Sequence, residues 1–376
     1  MDIVALEKKY QDLYAPTFEI SIEGQNILQS GVEVTNVNVD NTLDGADTFS
    51  FTVFNAFDPI NRELQSFVES VFSFDAEVEI KFGYGSQTKT IMLGIITAVK
   101  IDFPSGGSPQ VEVSGFDLSY RMMKEKKPRS WNDKKDSEVI RNIAQEYQLT
   151  ENIDDTGSQH EQIVKQEKEN DFEFLNRLAE RNYYEFFVFN KTLYFRKPQY
   201  RSAAIVTLEW QKSLVSFSPD FNIAERVFTI EVIGQNTEKK KNIVATAQIF
   251  NDEIAKIFIN KAKRASQGRQ TTEQLLKEQV KQPLKSEEHA KKLAQSILLK
   301  KHEDILKGSG ESLGIPDIIA GTNIELIGLG SQFSNTYYIE QTNHSISNSG
   351  YKTTFNVKRV PNEDEIEVTT TITSLS

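Results

Sequence analysis

The sequence contains no cysteine among its 376 residues, which excludes disulfide bonds, thiolate metal ligands and cysteine nucleophiles. No window approaches 18 uncharged apolar residues, so the sequence predicts no transmembrane helix. The first residues also lack a basic segment followed by an apolar run, the mark of a signal peptide. We therefore expect the chain to be made and folded in the cytoplasm.

Motifs for cofactors and metals are equally scarce. The sequence has four histidines: His160, His289, His302 and His344. None of them pairs at a metal-binding spacing, and no P-loop is present. Gly83-x-Gly85 and Gly328-x-Gly330 lack the third glycine of a dinucleotide-binding loop and precede strands, so hairpin turns explain them better. We predict no catalytic residue, no metal and no cofactor, although counting alone leaves an acid pair for glycoside cleavage open.

Charge is present but unevenly spread. The net charge is −11, yet residues 1–119 carry 6 basic and 18 acidic groups, or −12, whereas residues 236–311 carry 16 and 10, or +6. The acidic first segment argues against a nucleic-acid-binding surface, because phosphate binding needs lysine and arginine. For the basic segment we favour a solvated helical face over contact with an acidic partner.

Residues 17–117 show the short alternating pattern of antiparallel strands. In this block Phe49, Phe51 and Val53 fall on one face of a strand, and the intervening threonine and serine residues fall on the other. Aromatic enrichment, with 24 phenylalanines and 12 tyrosines against two tryptophans, also favours β-structure. The block predicts an antiparallel barrel or sandwich.

The following segment has a different character. Residues 121–135 are basic and turn-like, whereas 136–147 and 171–181 carry apolar side chains at helical spacing. Asn170 or Asp171 can cap the second of these helices. With a hairpin after it, this segment predicts a small α+β domain.

The last third mixes polar, helical and β patterns. Residues 235–286 are polar without clear periodicity, and a long helix is predicted from Ser286 to about Lys307, ended by Gly308-Ser309-Gly310. A β-block covers 313–360, and the threonine- and serine-rich tail 361–376 is interpreted as peripheral.

The last β-block repeats part of the first. Residues 78–87 are similar to 324–332 once one residue is dropped before the glycine pair. In both copies an apolar strand, a Gly/Ser turn and a closing strand follow. The repeat predicts two related β-domains, each with an insertion, and a chance likeness of two hairpins is the alternative.

Two stretches resemble the phage late control protein D family, which includes the hub part of the type VI spike protein VgrG and the baseplate hubs of contractile phage tails. The first stretch, 136–198, carries these motif positions: Asp171, Phe174, Leu175, Leu178 and Ala179. The second, 314–359, carries these: Gly328, Gly330, Tyr337, Tyr338, His344, Gly350 and Tyr351. We interpret both sets as structural. Ala320 departs from the family, where a proline is common.

The resemblance, over about 17–360, implies an α+β, mainly β fold with two related tube-like antiparallel β-barrel domains and two inserted α+β or helical domains. The expected segments are an N-terminal segment 1–16, a first tube-like β-domain 17–119, an α+β insertion 120–204, a second tube-like β-domain 205–235 plus 312–360, a helical insertion 236–311 and a C-terminal tail 361–376.

The resemblance also implies a structural function. A homotrimer of such a hub adapts the sixfold tail tube to a threefold spike, because the internal duplication gives pseudo-sixfold symmetry. Expected partners are further copies of the chain, the tail tube protein, a spike and other baseplate proteins, without specific nucleic-acid binding or membrane insertion. The chain stops about 16 residues after Val360, so we expect the spike to be a separate chain and no lysozyme domain to be present.

Other interpretations stay open. A tail-associated enzyme that degrades the cell wall would need a compact acid pair or a zinc site, and a carbohydrate-binding β-module would need exposed aromatic side chains.

Within the hub interpretation, the acidity of the first segment suggests an acidic channel wall that repels polyanions within about 8 Å. The candidate channel acids are Asp40, Asp44, Asp47, Glu77 and Glu79; the alternative is that they keep the outer surface soluble.

Overall fold

The computed structural model describes residues 1–105, 107–157, 159–221, 229–236, 241–249, 277–282, 284, 286–302, 306–359 and 366–374. The chain forms two compact units. The first comprises Met1–Ser216, Gly310–Ile324 and Ile339–Phe355, and the second comprises Phe217–Ser309, Glu325–Tyr338 and Asn356–Ser376.

The described helices are α1 Ile3–Lys9, α2 Ser66–Val71, α3 Tyr120–Met123, α4 Asp136–Glu146, α5 Asp171–Asn182 and α6 Glu287–His302, and a 3₁₀ turn covers Gln11–Leu13. The described strands are β1 Pro16–Ile22, β2 Gln25–Asn26, β3 Val34–Thr42, β4 Thr48–Val53, β5 Phe57–Asp58, β6 Glu63–Leu64, β7 Glu77–Tyr84, β8 Gln87–Asp102, β9 Gln110–Asp117, β10 Arg129–Lys135, β11 Thr150–Ile153, β12 Gln159–Lys165, β13 Glu185–Phe189, β14 Thr192–Arg196, β15 Val206–Glu209, β16 Leu214–Phe221, β17 Thr229–Asn236, β18 Lys241–Ile249, β19 Lys277–Lys281, β20 Leu306–Leu313, β21 Asn323–Ile327, β22 Asn335–Ser347, β23 Gly350–Arg359 and β24 Ile366–Ser374. The predicted α+β, mainly β fold class is confirmed. None of these helices is long and apolar enough to cross a membrane.

The first unit contains sheet strands in the order β22-β3-β4-β9-β8-β7-β1-β2, to which β22 contributes from Ile339 onward. The neighbouring pairs β22–β3, β3–β4, β4–β9, β9–β8, β8–β7 and β7–β1 are antiparallel. As predicted for 48–53, Phe49, Phe51 and Val53 of β4 are buried and the residues between them are half-buried. The alternation arises because successive side chains of a strand point to opposite faces.

The α+β part of the first unit packs α4 and α5 against the three-stranded sheet β11-β14-β13. Their apolar faces share one core that includes Ile140, Leu175 and Phe195. Asn170, rather than Asp171, caps α5: its side chain accepts from the N–H of Glu173 at 2.8 Å, and the Glu173 carboxylate accepts from the N–H of Asn170 at 2.9 Å. This capping box satisfies two N–H groups that a helix start leaves unpaired.

The second unit contains a four-stranded sheet in the order β19-β17-β18-β24, with α6 packed on it. β17 pairs with β18 antiparallel and with β19 parallel, and β18 pairs with β24 antiparallel. The core between helix and sheet includes Val232, Ala245, Ala294 and Leu298.

Three sequence-based interpretations are corrected by these elements. Residues 129–135 of the turn-like segment form β10, paired with β12. The polar stretch contains β18 and β19, and the tail contributes β24, whose Ile366 is buried. β10 and β19 are mostly polar and pair with strands distant in sequence, so no local pattern marks them. β18 does alternate buried apolar residues and pairs with the preceding strand β17.

The end of the long helix is a further correction. α6 ends at His302, and Leu306–Leu313 is strand β20. Gly308 and Gly310 lie inside this strand, not at a helix cap. A Cβ atom would come within 2.6 Å of the Phe217 ring at Gly308 and within 2.5 Å of the Phe355 ring at Gly310. The two glycines therefore make room for aromatic rings.

Candidate functional site

Among the described residues, no group of three or more histidine, aspartate or glutamate side chains could hold a metal ion. The sequence-predicted positions are instead buried structural contacts, turn glycines and acids in several different environments. Their interpretation as family-motif positions stays a prediction.

His344 lies in the interior of the first unit on the core side of β22. Its Nε2 is 2.8 Å from the carbonyl oxygen of Ile318, and its Nδ1 is 2.8 Å from the Tyr351 hydroxyl and 3.1 Å from the Thr353 hydroxyl. Because a carbonyl oxygen only accepts, Nε2 carries the proton and Nδ1 accepts from a hydroxyl. Burial lowers the pKa of His344 to about 4, so its neutral ring joins β22, β23 and the loop after β20.

Asp317, in that same loop, gathers donors from distant parts of the first unit. Its Oδ2 accepts from Lys9 Nζ at 2.7 Å and from the Tyr10 hydroxyl at 2.9 Å, and its Oδ1 accepts from Lys89 Nζ at 3.0 Å. Burial alone would raise the pKa of Asp317, but the bond from Lys9 and the charge of Lys89 lower it overall. Burial and this carboxylate together raise the pKa of Tyr10. An ionised carboxylate thus ties the N-terminal segment to the sheet.

Asp171 of α5 holds a buried ion pair. Its Oδ1 accepts from Lys165 Nζ at 2.6 Å, and its Oδ2 accepts from the Tyr147 hydroxyl at 2.7 Å. Lys165 is 1% exposed and Asp171 is 6% exposed. Burial and the bond to Asp171 raise the pKa of Tyr147. The pair fixes the start of α5 on strand β12.

The apolar motif positions of α5 are Phe174, Leu175, Leu178 and Ala179, and all are buried. The Phe174 ring stacks on Trp131 of β10, with centroids 5.3 Å apart and planes 8° apart. The guanidinium of Arg177 lies 5.2 Å from the Phe174 centroid. The stripe therefore packs within its own chain.

The remaining motif positions are turns and buried tyrosines. In the second unit, Gly328 and Gly330 have φ of 82° and 76° in the connection between β21 and β22. Tyr337 and Tyr338 follow on β22 and are buried. The Tyr337 hydroxyl donates to the carbonyl oxygen of Phe333 at 2.9 Å, and burial raises the pKa of Tyr337 to about 12. In the first unit, Gly350 opens β23 with φ of 105°.

The five candidate channel acids occupy different environments. Asp44 and Glu77 are exposed, and Asp40 and Glu79 are half-buried. Glu77 pairs with Arg121 at 3.0 Å, and Glu79 accepts from the Thr90 hydroxyl at 2.7 Å and pairs with Lys81 at 3.3 Å. Their place relative to a channel stays a prediction.

Asp47 differs from the other four because its carboxyl group faces the interior, where it meets Asp117. Asp47 is 5% exposed and Asp117 is 2% exposed. Asp47 accepts from the N–H of Thr42 and from the Asn41 amide, both at 2.8 Å, and its own N–H donates to Asp117 at 2.8 Å. Asp117 also accepts from the N–H of Ser119 at 2.7 Å. Burial raises the pKa of both acids, to about 6 for Asp117, and the charge of Asp117 raises that of Asp47 further.

The sequence did not single out Asp117, Lys165 or Trp131. Their partners lie far along the chain or in another element, so no spacing within one helix or strand connects them. The alternation in β4 did assign Thr48, Ser50 and Thr52 to the face opposite the core, and all three are half-buried there.

The family model described as the Alg8 N-terminal domain matches residues 13–348. No curated protein matches the sequence.

Three solved structures share the fold. A 43 kDa tail protein of prophage MuSo2 from Shewanella oneidensis is 13% identical with a TM-score of 0.66, covering 94% of this chain and 100% of its own. A tail protein from Neisseria meningitidis MC58 is 14% identical with a TM-score of 0.61, over 92% and 97% of the two chains. The c3393 protein of E. coli is 13% identical with a TM-score of 0.51, over 90% and 76%; it is described as a type VI secretion component similar to the T4 bacteriophage tail proteins gp27 and gp5. At these sequence identities, the comparisons show a shared fold.

Proposed function

We propose that this chain, which belongs to the family of the Alg8 N-terminal domain, is the structural baseplate hub of a contractile tail or injection particle. The observation that carries the proposal is the extent of the shared fold. A phage tail protein aligns over its full length with 94% of this chain. The c3393 protein, described as a type VI secretion component similar to tail proteins gp27 and gp5, supports a structural role in a tail or injection particle.

In this proposal three copies form a ring that adapts a sixfold tail tube to a threefold spike. The two tube-like β-domains, 17–119 and 205–235 plus 312–360, would supply six similar positions around the axis. The strand order supports it: β7, β8 and β9 follow one another as neighbours in the sheet, and so do β21, β22 and β23. The hub of the late control protein D type and its domain boundaries are part of the same proposal.

The proposed partners are further copies of this chain, the tail tube protein, a spike protein and other baseplate proteins. The proposed location is the baseplate of the assembled particle. Genes next to this one would distinguish a phage tail, a tailocin and a bacterial injection system: capsid and terminase genes indicate a phage, and effector and ATPase genes indicate an injection system.

A catalytic role is the competing candidate, and the one buried acid pair described above argues against it. The four carboxyl oxygens of Asp47 and Asp117 each accept a hydrogen bond from the chain, and neither side chain is accessible to a substrate. A peptidoglycan zymogram tests this directly: clearing by the parent chain would defeat the non-enzymatic proposal, and clearing that survives in an Asp47→Asn, Asp117→Asn double variant would place the active site elsewhere.

Electron microscopy of the particle, together with light scattering of the purified chain, tests the hub. We expect one ring of three copies between tube and spike, and a solution mass of either one or three 42.8 kDa chains. Six separate copies in the ring, or a position away from the tube–spike junction, would contradict the proposal.

A further inference from the structure

Strand β8 of the first unit continues past the end of its neighbour β7. β7 pairs with β8 up to Ile95, and the carbonyl oxygen of Ala76 still accepts from the N–H of Ile96 at 3.0 Å. β9 continues to pair with β8 as far as Asp102. Among the described residues, the segment 97–102 therefore has a neighbouring strand on one side only, and we call its open side the β8 edge.

The alternation of backbone hydrogen bonds identifies the groups that face the β8 edge. The N–H of Asp117 on β9 donates to the carbonyl oxygen of Asp47 at 2.9 Å, so odd-numbered residues of β9 face β4 and even-numbered residues face β8. The residues of β8 opposite those even-numbered residues are Ala98, Lys100 and Asp102. The N–H and C=O groups of Val99 and Ile101 therefore face the open side, where no described residue bonds them.

Strand β1 has a second open side, which faces away from β7. The N–H of Gly85 donates to the carbonyl oxygen of Ala15 at 2.9 Å, so odd-numbered residues of β1 face β7 and Phe18 faces away from it. β2 pairs only with the last two residues of β1. In the part of the chain that the structure describes, the N–H and C=O groups of Phe18 therefore have no partner, and we call this side of residues 16–19 the β1 edge.

One antiparallel register matches the two edges. With Phe18 opposite Ile101, the outward N–H and C=O groups of both residues meet and form the two hydrogen bonds of a closely spaced pair. Phe18 lies opposite the buried Phe82 of β7, and Ile101 lies opposite the buried Val111 of β9, so both side chains continue the core face of their sheet. A shift by one residue would place each apolar side chain on the polar face.

The same register sets opposite charges side by side, because Glu19 then lies opposite Lys100. Within the chain, Lys100 lies opposite Glu112 of β9, but it forms no ion pair among the described residues. The Oε1 of Glu19 accepts from the Thr88 hydroxyl at 3.0 Å, and its Oε2 has no partner among those residues. Each of the two charges can therefore take a countercharge from another copy of the chain.

We propose that the β8 edge of one copy of this chain pairs with the β1 edge of the next copy. The two edges of a single copy do not pair with each other, because β7 lies between β8 and β1 in the sheet. A contact between two different surfaces repeats head to tail and can close into a ring. The inference rests on the proposed hub function, which sets the ring at three copies.

The absence of cysteine makes a direct test possible. In the proposed register, residues 19 and 100 form a non-hydrogen-bonded pair with Cα atoms about 4.5 Å apart, which a disulfide can span. In the purified particle, we expect the variant Glu19→Cys, Lys100→Cys to give a covalent trimer on a non-reducing denaturing gel, and reduction to return single chains. Thr17→Cys, Asp102→Cys, the next pair of the same kind, serves if the first variant folds poorly.

The matched control is Glu19→Cys, Ser130→Cys, which moves the second thiol to an exposed position of β10 and should give single chains only. Cross-linking in this control, or a three-copy ring in electron micrographs without a cross-link in either test variant, would overturn the edge pairing and leave the hub proposal standing. Cross-linked chains in a particle without a three-copy ring would support the edge pairing and contradict the hub proposal.

Discussion

Two buried sites of the first unit hold carboxyl groups by different means. Beside α5, Asp171 meets the ammonium group of Lys165 and the hydroxyl of Tyr147. At the junction of β3, β4 and β9, Asp47 and Asp117 meet backbone N–H groups and one amide, and neither has a salt-bridge partner among the described residues. The carboxylate at the α5 site is therefore paired with a cation, whereas the junction holds up to two carboxylates without a countercharge.

Burial alone therefore does not determine how an acidic side chain affects the stability of the fold. A paired carboxylate costs stability when its cation is removed, because one charge then stays buried. An unpaired buried carboxyl favours its protonated form and costs stability when it ionises. The two sites should respond in opposite ways to removal of charge.

The largest effect is expected from the aromatic support of the α5 site. Phe174→Ala should lower the free energy of unfolding by about 4 kcal/mol, because it leaves a cavity beside Trp131 and Leu175. Urea unfolding of the purified chain measures it. Phe103→Ala is the matched control, since this ring is 64% exposed and its loss should change stability by about 0.5 kcal/mol or less. A Phe174→Ala chain that melts normally yet fails to assemble would mean that the stripe is a contact surface.

Removal of the cation tests the pairing itself. Lys165→Met keeps the length of the buried stem and should cost about 3 kcal/mol, because the Asp171 carboxylate loses its countercharge. The double variant Lys165→Met, Asp171→Leu should recover part of this loss, since no charge stays buried. A double variant as unstable as the sum of both single variants would show that the pair contributes nothing as a pair.

The smallest effect, with the opposite sign, is expected at the junction. Folding raises the pKa of Asp47, through burial and then the charge of Asp117, so the native state holds its proton at a pH where the unfolded chain has lost it. Its contribution to stability is therefore complete below about pH 4 and decreases as the pH rises. Burial also raises the pKa of Asp117, to about 6, so Asp117 adds its own loss of stability as the pH rises from about 4 to about 6.

Asp47→Asn should remove the loss of stability that accompanies ionisation of Asp47, because an amide does not ionise. The Asn41 amide can turn to accept from the new side chain, so at pH 4 the variant should differ from the parent by about 1 kcal/mol or less. From pH 4 to 7 the variant should gain stability relative to the parent, as measured by urea unfolding at each pH. Asp44→Asn, at an exposed position in the same turn, should show no such trend. A pH-independent difference for Asp47→Asn would refute the uncompensated-charge interpretation.

The local sequence pattern was sufficient to predict part of the secondary structure of this protein. Alternation assigned both faces of β4, and helical spacing with a capping residue placed α5 to within a residue of its observed start. These elements carry their own signal because their periodicity and caps lie within a few residues. β10 and β19 carry no such signal, because they are mostly polar and each depends on a partner strand remote in sequence.

The same division holds for the candidate sites. Composition and spacing in the sequence by themselves determined the mainly β class, the lack of thiol chemistry and the alternating faces of the strands. Only the tertiary structure decided that Asp47 faces the interior, that Gly308 and Gly310 receive aromatic rings, and that Ser345, Asn38, Ser50 and Ser114 form one row. Sequence sets the period of side chains along one strand, but the register between strands sets which side chains become neighbours, and that register depends on contacts made across the whole chain.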